Sequence, residues 1–348
     1  MMNKLKIYIA GHTGLVGSAV VAELKEKGYQ NVVLRSHHEL DLRNQVMTEC
    51  FFREEQPGYV ILAAARVGGI LANSRMGADF LYDNLMIAAN VINCSRKYGV
   101  KKLLNLGSSC IYPRNAEQPI RESALLSCQL EPTNEPYAVA KIAGIKLCQA
   151  ISTQYGYDFF SVMPPNLYGP NDRFDLTTSH VLPAMIRKFH LAKLFQAGQA
   201  KRVERDLKRW NEWQENLSIE AQLRNFGIER DRITFWGTGN VFREFLHVND
   251  LANALVLLME TCHAGDVGEI INVGSGDEIS ICDLAMQISE VVGYRGKIHW
   301  DETYPDGTPR KLMESSRIKS IINWKPKFSL RTGIAQTYQW YVNTGEES

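Results

Sequence analysis

The chain has 348 residues, 45% of them hydrophobic and 22% charged, with 39 Lys and Arg against 38 Asp and Glu. A net charge of +1 excludes a protein that holds nucleic acid or anionic membrane by bulk positive charge, and equally an acidic solvating chain. At roughly 100–200 residues per domain, the length predicts about two domains or one enlarged α/β unit.

Residues 6–10 read as a short buried strand, which Gly11-His12-Thr13-Gly14 breaks too soon for a secretory leader. A helix is predicted over about 14–27, then a strand at 31–34. Apolar runs at 60–64 and 102–106 read as further parallel strands, separated by helix-length stretches at about 43–55 and 79–98. A helix at 138–155 leads to a strand at 159–163. Apolar strands alternating with helices predict an α/β fold, a Rossmann-type doubly wound parallel sheet over residues 1–170. Residues 171–348 read mainly as a smaller, interleaved α/β lobe, with helices at 179–193, 250–262 and 280–292 and strands at 244–247 and 269–273. The segment around 244–262 is expected to rejoin the first domain. Between about 198 and 232 lies a charged stretch in which Val203, Leu207, Trp210, Trp213 and Leu217 recur about once per helical turn, predicting a helical insertion. It reads either as a solvated insertion with one packed face or as a lid over the substrate lobe. No run of 18 apolar residues occurs, so no spanning helix is expected. The seven cysteines are scattered without a C-x-x-C pair, which predicts reduced thiols in the cytoplasm and no metal site.

Gly11-x-x-Gly14-x-x-Gly17 follows a strand and opens a helix. That context suits a tight turn, close backbone approach to a pyrophosphate, and N–H groups aimed at negative charge. His12, Thr13, Leu15 and Val16 complete the turn. At the end of the second strand, where an NAD site usually places a carboxylate, the chain has Arg35, Ser36 and His37. The missing carboxylate removes repulsion against a 2′-phosphate, and Arg35 either neutralises it or simply ends the strand in solvent. Asp41 and Leu42 lie where they can face an adenine. Tyr137 and Lys141 are spaced i, i+4, on one helix face. A neighbouring ammonium is expected to lower the phenol pKa and ready it to protonate a ketone oxygen. Ser108, at a strand end, is the expected second donor to that oxygen. A Y-x-x-x-K spacing arises often by chance, and its position downstream of a nucleotide-binding turn is what favours chemistry.

These residues, with longer stretches around them, resemble the extended short-chain dehydrogenase/reductase family and its branch acting on GDP-4-keto sugars. The matching runs are Ile9 to Ser18, Ala64 to Ile70, Leu106 to Pro113, Glu131 to Tyr137, Asn166 to Pro170, Arg243 to His247 and Pro305 to Lys311. They span nearly all the chain except about 198–232. The resemblance implies bifunctional chemistry: 3,5-epimerisation of GDP-4-keto-6-deoxy-D-mannose, then NADPH-dependent reduction of its 4-ketone to GDP-L-fucose. It implies catalytic roles for Ser108, Cys110, Tyr137, Lys141 and His180, with Cys110 and His180 as the epimerisation acid–base pair. On residue pattern alone, Cys110 reads as a buried filler and His180 as a helix-start histidine.

By the same resemblance, Leu106, Gly107, Pro164, Asn166, Leu167 and His180 join the glycine turn in holding NADP(H). Ser109, Lys188, Trp236, Arg243, Asp306 and Lys311 are expected at the GDP-sugar, beside Ser108 and Cys110. Two departures bear on specificity: Thr13 and His37 stand where family members can carry phosphate-binding arginines, and Lys188 stands where an Arg can occur. A homodimer paired through the helices at about 79–98 and 138–155 is expected, with Ile87, Val91, Ile142, Ile145 and Leu147 either at that interface or in the core. A related reductase or epimerase/reductase of another GDP-4-keto sugar, such as a 6-deoxyheptose or 3,6-dideoxy sugar, stays open. A non-catalytic nucleotide sensor has no need of an intact Ser108–Tyr137–Lys141 set.

Overall fold

The computed structural model describes residues 5–69, 75–304 and 306–346; Ile70 and Pro305, which bound two of the motifs above, lie outside the described residues. The chain divides into two compact units, one made of Met1–Leu167, Glu244–Asp277 and Leu312–Lys327, the other of Tyr168–Arg243, Glu278–Lys311 and Phe328–Ser348.

In the first unit β1 (Ile7–Ala10), α1 (Leu15–Glu26), β2 (Val32–Val33), α2 (Gln45–Glu55), β3 (Tyr59–Leu62), α3 (Gly77–Lys97), β4 (Lys102–Leu106), α4 (Glu135–Tyr155) and β5 (Asp158–Met163) follow one another. All strand pairs are parallel, in the order β2-β1-β3-β4-β5, with the strand Ile270–Asn272 beyond β5. Side chains alternate across β1. Ile7 and Ile9 enter an apolar cluster with Val20 and Leu24 of α1 and with Leu251, Leu255 and Leu258 of the helix Val248–Thr261. Tyr8 and Ala10 enter a second cluster with Phe51 and Phe52 of α2 and Val91 and Ile92 of α3. A sheet covered by helices on both faces needs the near-continuous apolar strands read from the sequence. Each fully buried Ile or Leu contributes about 1.5–3 kcal/mol.

The helix termini follow local chemistry. The Asn44 side chain accepts from Met47 N at the start of α2, which satisfies one orphan donor. Pro136 sits in the first turn of α4 and Gly156 ends that helix at φ +73°, the expected asymmetry. Helices α3 and α4 approach closely at Gly144, where an added Cβ would lie 3.3 Å from that of Ala88. Val91, Ile142 and Ile145 are buried within the chain, so of the residues weighed for a dimer face these three serve the core.

The second unit carries α5 (Val181–Gln196), α6 (Ala200–Arg209) and α7 (Ile219–Asn225). The strand Arg232–Trp236 pairs in parallel with Lys297–Asp301, and Arg310 and Lys311 pair with Phe242 and Arg243. The helix Ile281–Val292 packs on α5. The charged insertion is not one helix. Asn211 adopts φ +56° after Trp210, and the Ser218 hydroxyl caps α7 by accepting from Ala221 N at 3.2 Å. The apolar spacing continues past Trp210, but an Asn in the left-handed region ends the helical path, and Glu212 turns inward to meet Arg187 at 2.8 Å.

Candidate active site

Ligands of open α/β sheets bind where the strand order reverses, at the carboxyl ends of the strands. Here that point lies between β1 and β3, and the glycine turn occupies it. Gly11 has φ +85°, and a Cβ there would fall 2.7 Å from the Ala64 backbone. A Cβ on Gly17 would fall 2.1 Å from Gly11 O, so α1 packs against the turn only because residue 17 is glycine. Gly14 is the N-cap, without a side-chain cap bond and without an acidic residue in the first turn. The opening of α1 therefore keeps its N–H groups and positive dipole end for an anion. Among the described residues the buried His12 Nδ1 has no hydrogen-bond partner. These features fit a dinucleotide's pyrophosphate.

At the end of β2 the guanidinium of Arg35 pairs with Glu55 and donates to Leu34 O. His37 is exposed, 3.9 Å from Asp41. Hydrogen bonds from Arg43 hold the Asp41 carboxyl down at about 2. Leu42 is buried in the core, and its carbonyl accepts from Thr48 and Asn90. Glu39 folds back onto Ser36 N and Oγ at 2.7 Å.

The next four groups converge after β4. Ser108 caps a short turn, Ser109–Ile111, with its Oγ accepting from Cys110 N at 3.4 Å. Ser109 N donates to Pro164 O at 3.1 Å and Gly107 N to Val162 O at 2.9 Å, which ties the turn to β5. Gly107 leaves room for Met163, whose Cε would be 2.2 Å from a Cβ there. Lys141, buried on α4, donates to Leu106 O at 2.8 Å and lies 5.7 Å from the Tyr137 ring centre. Asn166 donates to Glu244 O at 3.0 Å, and Leu167 packs on the core.

The electrostatics differ from the sequence-based expectation. Burial pushes the Tyr137 phenol well above its ordinary value, and a Cys110 charge raises it further. Burial brings Lys141 down to about 8. An i, i+4 ammonium lowers a phenol pKa only where it outweighs desolvation, and here the amine is itself desolvated and turned to the Leu106 carbonyl. Cys110 acts on both neighbours, so thiol, phenol and amine share one electrostatic site.

In the second unit His180 is the N-cap of α5, its carbonyl accepting from Ala184 N. The preceding loop is held by Asp175, which accepts from Thr177 and Thr178. His180 is exposed as a residue, yet the protein around it disfavours charge and lowers its pKa. Two turns along α5, Lys188 lies 5.3 Å from the Phe235 ring centre, and burial holds it at about 8. Among the described residues it has no carboxylate partner.

A second cluster forms where Lys311 stands beside Arg243 in register. Asp306 accepts from Thr238 N at 3.0 Å and Thr238 Oγ1 at 2.7 Å and opposes the effect of burial on Arg243. Trp236 is 55% exposed and stacks on Tyr304, 4.4 Å between centroids and 10° between planes. Tyr304 and Thr238 carry no motif of their own. Only the stacking and hydrogen bonds, across 68 residues, mark them as part of this cluster.

A parallel sheet with a glycine turn at its switch point and a Ser–Tyr–Lys group after its fourth strand defines a doubly wound dinucleotide-binding protein of the oxidoreductase kind. The chain belongs to the NAD dependent epimerase/dehydratase family, whose pattern matches residues 7–213 and 215–274. It is 52% identical to GDP-L-fucose synthase 1 of Arabidopsis thaliana over 337 residues, 97% of this chain and 93% of that protein. Among solved structures, it resembles a GDP-6-OMe-4-keto-L-xylo-heptose reductase from C. jejuni, with TM-score 0.93, 40% identity and 99% of each chain covered. A GDP-D-glycero-L-gluco-heptose synthase from Campylobacter jejuni, solved in the presence of NADPH, matches with TM-score 0.90 and 40% identity over 98% of this chain and 99% of that one. No helix among the described residues is long and apolar enough to cross a membrane. Among the described residues no group of His, Cys, Asp and Glu could hold a metal ion.

Proposed function

We propose that the protein is an NADP(H)-dependent 3,5-epimerase and 4-ketoreductase of GDP-4-keto-6-deoxy-D-mannose, forming GDP-L-fucose. The observation that carries this is the electrostatic coupling of Cys110 to Tyr137 and Lys141, with Ser108 Oγ accepting from Cys110 N. A plain ketoreductase needs Ser, Tyr and Lys. A thiol beside them adds a group able to remove a proton from carbon next to the carbonyl.

Loss of a proton from C3 or C5 puts negative charge on O4, where the hydroxyls of Ser108 and Tyr137 donate. Cys110 and His180 are the proposed base and acid. NADPH, when bound, supplies the hydride for C4. Tyr137 gives its phenolic proton to O4, and the Lys141 ammonium stabilises the phenolate left behind. The α1 terminus and His12 take the pyrophosphate of the cofactor. Lys188, Arg243 and Lys311 take the diphosphate of the substrate, with Trp236, backed by Tyr304, as a wall for its base. Reaction in deuterated water tests the assignment. GDP-fucose carrying deuterium at C3 and C5 is expected, and NADPH consumption without exchange at either carbon overturns it.

That second outcome would favour a GDP-heptose reductase, the reading supported by the fit to the GDP-6-OMe-4-keto-L-xylo-heptose reductase. The proposal includes a homodimer through α3 and α4, where Tyr82 and Val139 stay exposed, and a cytoplasmic location.

Lys188 gives this reading a pH signature. Its ammonium is lost as pH rises through about 8, so the KM for the GDP-sugar is expected to climb above that pH, about tenfold per unit at the limit. Lys188→Arg, which stays charged, is expected to hold KM flat to pH 10. A wild-type KM that is constant from pH 7 to 10 removes Lys188 from the diphosphate.

A further inference from the structure

A cavity of about 630 Å³ lies wholly within the second unit, away from the residues assigned above. His190 and Leu194 of α5, the basic face of α6, and Tyr341, Val342 and Gly345 of the helix Leu330–Glu346 line it. Helix α6 contributes Lys201, Arg202, Arg205, Lys208 and Arg209, against two carboxylates, Glu204 and Asp206.

Both carboxylates are already engaged. Glu204 pairs with Lys208 at 2.6 Å. Asp206 pairs at 2.8 Å with Arg187, which is 0% exposed, and also accepts from the Tyr341 hydroxyl. Arg209 donates to Tyr341 O at 3.2 Å and Thr344 Oγ1 at 2.9 Å, and Arg202 donates to Gln199. Lys201 and Arg205 have no carboxylate partner among the described residues, and both are exposed. Spaced i, i+4 they stand one above the other, about 6 Å apart along the helix axis.

A solvated basic helix would need no cavity beside it. Here positive charge lines a concave wall, where low-dielectric surroundings focus the field. Leu194, Val342 and Tyr341 complete the lining, with Leu194 and Tyr341 themselves buried. The volume falls in the range of small-molecule sites, about 300–1,000 Å³. Stacked cations suit adjacent phosphates. We propose that this cavity is a second, non-catalytic site for a diphosphate group, free or carried by a nucleoside, held by Lys201 and Arg205. Its lining residue Asp206 pairs with the buried Arg187 of α5, so the site is tied to the helix that carries Lys188.

The test is calorimetric titration of GDP, and separately of pyrophosphate, onto the full chain and two variants. The wild type is expected to bind two equivalents of GDP. Lys201→Gln/Arg205→Gln should lose one of them, weakened at least tenfold, while its turnover stays as in the wild type. Arg243→Gln should lose the other equivalent. Pyrophosphate binding that disappears only in the double variant supports the phosphate contact. GDP and pyrophosphate isotherms identical in the wild type and the double variant overturn the site. If Arg243→Gln alone leaves GDP binding untouched, the substrate assignment fails while the second site stands.

Discussion

Tyr137→Phe is expected to lower kcat for ketone reduction by about 100- to 10,000-fold, the usual worth of a positioned general acid, with the KM for the GDP-sugar within threefold. The substitution removes one hydroxyl from a half-buried ring and leaves its packing intact. Burial holds the phenol well above its ordinary pKa, so at neutral pH Tyr137 is fully protonated. In the proposed mechanism it therefore serves as a donor, not a base. In the proposed reduction the proton would leave as O4 becomes basic, and the phenolate so formed would need a cation close by. Lys141 supplies it: at a pKa of about 8 the amine is still mostly charged at pH 7, and its bond to Leu106 O fixes it 5.7 Å from the ring centre. Because O4 also gathers charge in the enolate, deuterium exchange at C3 and C5 is expected to fall in the same variant. Single-turnover NADPH oxidation and NMR-monitored exchange read the two effects separately. Reduction within threefold of the wild type removes Tyr137 from the mechanism.

Features that follow from local geometry were legible in the sequence. Gly11 and Gly17 are legible because each sits where a Cβ would strike backbone, and the strand–turn–helix order shows that without coordinates. The i, i+4 spacing of Tyr137 and Lys141 fixes their common face whatever surrounds them. Their pKa values were not legible, since desolvation depends on residues brought in by β4, β5 and the turn at Ser109. The expected lowering of the phenol pKa reverses for that reason. Trp236 was expected at the substrate from the family resemblance, whereas its stacking partner Tyr304 was not, because Lys297–Asp301 reaches Arg232–Trp236 by a long-range parallel pairing. In the insertion the apolar period was real: Val203 and Leu207 are buried and Trp210 packs 6.1 Å from Phe174. The period could not reveal that Asn211 breaks the helix, nor that Asp206 and Glu212 point inward to a buried arginine.

Cys110→Ser is expected to separate the two halves of the chemistry. Serine is nearly isosteric, and Cys110 N would still donate to Ser108 Oγ, so the turn after β4 should keep its shape. A hydroxyl is a far weaker acid than a thiol, whose ordinary pKa is about 8.5, and cannot carry a proton to and from carbon near pH 7. Exchange of solvent deuterium into C3 and C5 should therefore slow by about 100-fold or more. NADPH oxidation with the 4-keto sugar should stay within about tenfold, because Ser108, Tyr137 and Lys141 are untouched. A purely structural cysteine would instead lower both rates together. The electrostatics add a readout that packing alone would not move. A Cys110 charge raises both Tyr137 and Lys141, and its loss lets both titrate at lower pH. The alkaline fall of the reduction rate should thus shift to lower pH in Cys110→Ser, while the low-pH side stays where it is in the wild type. Unchanged exchange in this variant refutes Cys110 as the base, and an unshifted alkaline limb refutes its coupling to Tyr137 and Lys141.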